Sequence, residues 1–148
     1  MPPLLLDSPP LAVLIADDHD LFALGLAETL AAYPDLTVVG RAADGAEAVA
    51  LASELHPDVV LMDVNMPRVD GIAATREVTE TLEHTRVVVL SALTDAETAH
   101  AARSAGAVAV LSKGGLVDDL ISTVREAARR SDRLELLEWL PAAAAVAH

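Results

Sequence analysis

Three carboxylates, a hydroxyl and an amine stand at equivalent places in this sequence, each just beyond a short apolar run. Asp17 and Asp18 follow Leu11–Ala16, Asp63 follows Val59–Met62, Ser91 follows Val87–Leu90, and Lys113 lies just past the run that ends at Leu111. Each alone has an ordinary explanation. Asp17 and Asp18 can cap a helix, Asp63 can sit in a solvated turn ahead of Met66-Pro67, Ser91 can be an N-cap, and Lys113 can be a surface lysine. Together they describe one chemistry. Neighbouring carboxylates repel unless a cation neutralises them, and an oxygen-only donor set suits a hard ion such as Mg²⁺. A lysine offers a point positive charge and a serine a donor hydroxyl, both suited to phosphoryl oxygens. The set reads as a phosphoryl-acceptor site with an aspartate nucleophile. Lys113 is also the sole lysine among 10 basic residues.

The runs that carry these residues are short and apolar, as strands buried on both faces must be. Leu11–Ala16, Thr37–Val39, Val59–Met62, Val87–Leu90 and Ala107–Leu111 alternate with stretches of helical spacing over Leu21–Ala32, Gly45–Leu55, Ile72–Leu82, Ala96–Ser104 and Leu116–Ala128. In the first helix the apolar positions are Leu21, Leu24, Leu26 and Leu30. In the last they are Val117, Leu120, Ile121, Val124 and Ala128. Five βα repeats predict an α/β fold, a doubly wound five-stranded parallel sheet with helices on both faces and right-handed crossovers. In such sheets ligands bind beyond the carboxyl ends of the strands. That is where the five residues fall.

Composition bounds the rest. Of 148 residues 53% are hydrophobic but only 2% aromatic, so the core must be built from Ala, Val, Leu and Ile. With 23 acidic against 10 basic residues the net charge is −13, which argues against nucleic-acid binding by this segment and against an acidic membrane surface. The absence of cysteine rules out disulfides and thiolate chemistry. Met1–Pro10, with four prolines, reads as a flexible leader, and no basic stretch or apolar run of ~18 residues marks a signal peptide or membrane span. A cytoplasmic location is expected. The folded domain is assigned to residues 11–130. Arg129–Arg133 reads as a polar break, and residues 131–148 as a linker or short C-terminal helix with a frayed tail.

The motifs resemble those of response-regulator receiver domains. Leu14-Ile15-Ala16-Asp17-Asp18-His19, Val60-Leu61-Met62-Asp63-Val64-Asn65-Met66-Pro67 with Asp70-Gly71, Val89-Leu90-Ser91-Ala92 and Leu111-Ser112-Lys113 carry the likeness, which covers residues 11–130. The Asp-Asp-His opening and a Lys113 not followed by proline resemble the LuxR/NarL-type subgroup attached to helix-turn-helix output domains. The resemblance implies a flavodoxin-like strand order 2-1-3-4-5, an order that the alternation alone leaves open. It implies that Asp63 accepts phosphate from the histidine of a sensor kinase. Asp18 would bind Mg²⁺ directly, Asp17 mainly through water, and the Asn65 carbonyl would complete the set with Asp63. Lys113 would pair with the phosphoryl group, Ser91 would be the switch hydroxyl, and small Ala92 would let its amide approach. One departure stands out. Val110 occupies the place where many receivers carry a switch Tyr or Phe.

Two versions of this reading differ in output: a receiver controlling transcription through a DNA-binding domain outside this chain, or a stand-alone receiver in a phosphorelay. Neither is an enzyme with turnover on a free substrate. A haloacid-dehalogenase-type phosphatase is the rival from another class, since Asp18-His19-Asp20 matches its D-x-D signature, but it leaves Asp63 and Met66-Pro67 unexplained. The five histidines lack metal-ligand spacing, so His19 reads as a loop residue beside the acidic pair. A homodimer is the other expected partner, with Val117–Val124 or Leu134–Leu140 as candidate surfaces, the first set being expected to pack on the sheet instead.

Overall fold

Strands apolar on both faces must be covered on both sides, and the computed structural model, which describes residues 9–92 and 95–139 (side chains of 130–139 excepted), has that form. The strands are β1 Leu11–Ala16, β2 Leu36–Ala42, β3 Val59–Asp63, β4 Arg86–Ser91 and β5 Ala109–Ser112. The helices are α1 Asp20–Ala31, α2 Gly45–Leu55, α3 Gly71–Thr81, α4 Ala96–Ser104 and α5 Val117–Trp139. All pairings are parallel, in the order β2-β1-β3-β4-β5. The flavodoxin-like doubly wound sheet expected from the sequence is therefore the fold of the chain.

Alternation along the strands divides the core into two layers. Val13, Ile15, Val59, Leu61, Val88 and Leu90 face α1 and α5, meeting Ala23, Leu26, Leu30, Ile121 and Val124. Leu14, Val60, Met62, Val87 and Val89 face α2, α3 and α4, where Ala48, Ala52, Ala74 and Ala102 are fully buried. Alanines let these helices lie close to the sheet, which accounts for the scarcity of aromatic residues. The α5 end of the first layer is latched by Arg125, whose Nε and Nη2 donate to the two Asp35 carboxylate oxygens at 2.8 and 2.9 Å. That pairing holds the Asp35 carboxyl below its ordinary range.

Several boundaries differ from the sequence reading. β2 is longer than Thr37–Val39, because Gly40 and Arg41 interrupt its apolar pattern while the ladder to β1 continues past a bulge at Val39. β5 begins at Ala109 rather than Ala107. The polar stretch Arg129–Arg133 does not break the last helix, since it holds neither Pro nor Gly, and α5 runs on to Trp139. The expected linker or separate short helix thus continues α5 as far as residue 139. The rest of the expected tail, and the leader up to residue 8, lie outside the described residues. In α1 the buried positions are Ala23, Leu26 and Leu30, whereas Leu21 and Leu24 are exposed. In α5 Ile121, Val124 and Ala128 are buried but Val117 is exposed.

The β3–α3 connection is set by close backbone approach. A Cβ on Gly71 would lie 1.8 Å from the Asp63 carbonyl oxygen, and one on Gly45 would lie 1.9 Å from the Val69 carbonyl oxygen. Gly71 also donates its amide to the Val64 carbonyl at 2.9 Å, and Asp70 caps α3 by accepting from the Ala73 amide at 2.8 Å. Because the colliding atoms at Gly71 are backbone, Gly71→Ala should reduce the unfolding free energy by about 2–3 kcal/mol or more. A urea titration with an unmoved midpoint would contradict this packing.

Candidate functional site

Register brings the polar residues level. Ala16 pairs with Met62, Asp63 with Leu90, and Ser91 with Ser112. The ladders also run one residue past β1 and β5: the Asp17 amide donates to the Ala42 carbonyl at 2.9 Å, and the Lys113 amide to the Ser91 carbonyl at 2.9 Å. Asp17, Asp63 and Lys113 continue the alternation of the strand residues that face α1 and α5. The three side chains meet there. Lys113 Nζ lies 2.7 Å from Asp17 Oδ2 and 3.2 Å from Asp63 Oδ1. Above it the Phe22 ring of α1 places its centroid 4.6 Å from Nζ, a cation–π contact.

The electrostatics are unbalanced. Asp17 and Asp63 are buried, and they share one ammonium. Burial, and then the charge of Asp17, push the Asp63 carboxyl above its ordinary range, while Lys113 and the Asn65 amide oppose the shift. Burial penalises the Lys113 ammonium too, but hydrogen bonding and charge from Asp17 and Asp63 outweigh it and hold its pKa above the usual value. Asp63 Oδ2 is buried with no hydrogen-bond partner. An orphaned anionic oxygen inside a cluster of like charges is the arrangement a divalent cation satisfies. Ligand atoms of Asp17, Asp18, His19 and Asp63 all lie within 4.8 Å of one another, so the donor set fits such an ion.

The expected residues divide into three groups. Asp17, Asp18, Asp63 and Lys113 come together around one point. Asn65 lies at its rim and donates its amide to Asp63 Oδ1 at 3.4 Å. Ser91 is buried at the end of β4, one residue past the partner of Asp63, with exposed Ala92 beyond it. Val110 is half-buried against the α2–α4 layer. Three contributors were not legible in the sequence. Phe22 lies within the first helical stretch but was not among its apolar positions. Arg41 donates from Nε and Nη2 to the Asp17 carbonyl at 3.2 and 2.9 Å and pairs with Asp20 at 2.8 Å, fastening the β1–α1 loop to β2. His19, set aside as a loop residue, directs Nδ1 to Asp17 Oδ1 at 3.2 Å and Asp18 Oδ1 at 3.3 Å. Only the fold brings Arg41 and Asp63 to the edge where these contacts form.

Replacing Asp63 by asparagine removes one of two crowded charges at nearly constant shape and leaves Lys113 paired with Asp17. In metal-free buffer Asp63→Asn should raise Tm by roughly 2–5 °C, and added Mg²⁺ should stabilise the native chain more than the variant. A variant that melts below the native chain without metal would contradict the charge imbalance.

Comparison with known proteins agrees with this geometry. The response regulator receiver domain family matches residues 13–125. The chain is 39% identical over 123 residues to the transcriptional regulatory protein LiaR of Bacillus subtilis, covering 83% of this chain and 58% of LiaR. It is 49% identical over 106 residues to protein-glutamate methylesterase/protein-glutamine glutaminase 4 of Myxococcus xanthus, covering 70% of this chain and 30% of that protein. Among solved structures, the signal receiver domain of the response regulator NarL from Mycobacterium tuberculosis superposes with a TM-score of 0.79 at 32% identity, covering 82% of this chain and 98% of that one. The chain thus spans a little over half the length of LiaR and covers nearly all of the solved NarL receiver domain. With the paired aspartates, Asp63 and Lys113 at the sheet edge, the chain belongs to the response regulator receiver domain family of two-component signalling, with relatives of the LuxR/NarL type.

Proposed function

We propose that Asp63 accepts a phosphoryl group from the phosphohistidine of a sensor kinase and that the domain then switches an output surface. One observation carries this reading: Asp63 Oδ2 is buried and lacks a hydrogen-bond partner, while Oδ1 of the same carboxylate lies 3.2 Å from the Lys113 ammonium. An oxygen of the carboxylate attacks phosphorus, the P–N bond to imidazole breaks, and the leaving imidazole takes up a proton. The product is an acyl phosphate. Lys113 offsets the charge gathering on the phosphoryl oxygens, and Ser91 and the Ala92 amide supply donors on the other side. Asp17, Asp18, Asp63 and the Asn65 carbonyl would hold Mg²⁺, which when bound lets an anionic donor approach three carboxylates. Because Val110 has no ring to swing inward, switching runs through repacking of α4 and β5, two packings of similar energy biased by the phosphoryl group.

The domain acts as a switch, not as an enzyme with turnover. LiaR is named a transcriptional regulatory protein, so the output we infer is control of transcription by a DNA-binding region outside these 148 residues, in the cytoplasm. At net charge −13 the 148-residue chain itself is not suited to engaging nucleic acid. The donor protein would meet the α1–α5 face, where a groove of about 450 Å³ is lined by Leu21, Phe22, Leu26, Leu116, Val117 and Leu120 and reaches Lys113. Leu21 and Leu116 are 85% and 73% exposed, more than folding of the domain requires.

Incubation with a small phosphodonor and Mg²⁺, read by intact mass, should add one phosphoryl group that is absent in Asp63→Asn. Steady phosphate release that depends on Asp18 and survives Asp63→Asn would instead mark a phosphatase. Leu21→Glu or Leu116→Glu should slow transfer from a phosphorylated kinase at least about tenfold while leaving labelling by the small phosphodonor intact. Equal losses with both donors would remove the groove from the reaction.

A further inference from the structure

His19 occupies the N-cap of α1 but does no capping. Its side chain makes no hydrogen bond to the first turn of the helix, a position where Ser, Thr, Asp or Asn would make one. The imidazole turns back over the acidic cluster, with Nδ1 3.2 Å from Asp17 Oδ1 and 3.3 Å from Asp18 Oδ1. Two donors bonded to one ion at about 2.1 Å lie about 3.0–3.4 Å apart for angles between octahedral and tetrahedral. The spacing of His19 from both carboxylates therefore matches that of co-ligands. The buried, unpartnered Asp63 Oδ2 is a second, independent observation that points to a cation at the same cluster.

We propose that His19 supplies a nitrogen ligand to this cluster, so that the pocket takes late first-row divalent cations such as Zn²⁺ and Cu²⁺ as well as Mg²⁺, and that such an ion inhibits phosphoryl acceptance. Imidazole adds little to Mg²⁺ binding, because that ion favours oxygen and keeps its waters. For Zn²⁺ and Cu²⁺ it adds a preferred ligand. Asp17, Asp18, His19 and Asp63 make four protein donors, the complete number for a closed tetrahedral zinc site. A closed site leaves no open position for a phosphoryl oxygen, so the anionic donor finds no metal contact there. Inhibition follows from the same residues that hold the ion. This inference rests on the receiver reading of the site and deepens it.

The test uses the full chain and its His19→Gln variant, titrated with Zn²⁺ and with Mg²⁺ by calorimetry, together with electron paramagnetic resonance of the Cu²⁺ forms. Zn²⁺ should compete with Mg²⁺ in the native chain. The ratio of Zn²⁺ to Mg²⁺ affinity should fall at least about tenfold in the variant, and the Cu²⁺ spectrum should lose the nitrogen coupling that His19 contributes. An unchanged ratio, or nitrogen coupling as strong in His19→Gln as in the native chain, would show that His19 is only hydrogen-bonded to the acids and would overturn the proposal. Because His56, His84, His100 and His148 are present in both proteins, any contribution of theirs cancels in the comparison. Intact-mass labelling in Mg²⁺ buffer, with and without one equivalent of Zn²⁺, separates the two readings. Labelling that Zn²⁺ suppresses supports the inference, and labelling that Zn²⁺ leaves untouched refutes it. No labelling without zinc, alongside a His19-dependent Zn²⁺ site, would fail the receiver reading alone.

Discussion

Asp17 and Asp63 are buried side by side with a single ammonium between them, and much of the domain is arranged around that surplus of negative charge. Inside a protein, like charges a few ångströms apart are costly and cannot be screened by salt. Lys113 offsets part of the surplus, and its own burial is tolerated only because both carboxylates hold it. What remains is a standing electrostatic demand for a cation. The site is thereby poised. A neutral, fully paired cluster would be more stable and would have no reason to take up an ion or to respond to one.

Keeping such a cluster in place falls to backbone contacts around it. Gly71 and Gly45 bring neighbouring chain segments closer than any side chain would allow, so the β3–α3 loop closes directly beneath Asp63. Arg68 of that loop pairs with Asp44, which in turn caps α2 by accepting the Glu47 amide. On the opposite side Arg41 grips the carbonyl of Asp17. These links hold the loops at the carboxyl edge to one another, while the apolar strands beneath supply the rigid base. Repulsion among the acids is then borne by the scaffold instead of being relieved by movement.

The two layers of the core serve different ends. The layer under α1 and α5 supports Asp17, Asp63 and Lys113, and its helices leave an apolar groove open beside the ammonium. The layer under α2, α3 and α4 is filled with alanine and valine, and Ser91 and Val110 continue its alternation along β4 and β5. Val110, at the place where the resemblance led us to expect a ring, is only a branched aliphatic.

By itself the sequence determined the short continuous apolar runs, the helical spacing between them and the polar residues that follow four of the five strands, because these are properties of local order along the chain. The same local order carried the motifs that resemble receivers. It did not determine which of those polar residues touch. That Asp17, Asp63 and Lys113 share one layer while Ser91 belongs to the other follows from strand register and alternation across four strands. Arg41 was hidden because it follows Gly40 on an edge strand, and Phe22 because its ring meets a lysine that only the fold brings beside α1. His19 was dismissed for lack of ligand spacing, yet one partner of its cluster, Asp63, lies on a different strand. Leu21 and Leu24 matched a helical stripe, but α1 is covered on one side only, and the stripe is wider than the surface it buries. Sequence carries the chemistry that each position can supply. Which groups act together depends on distances between segments far apart in the chain, and only the packed sheet fixes those.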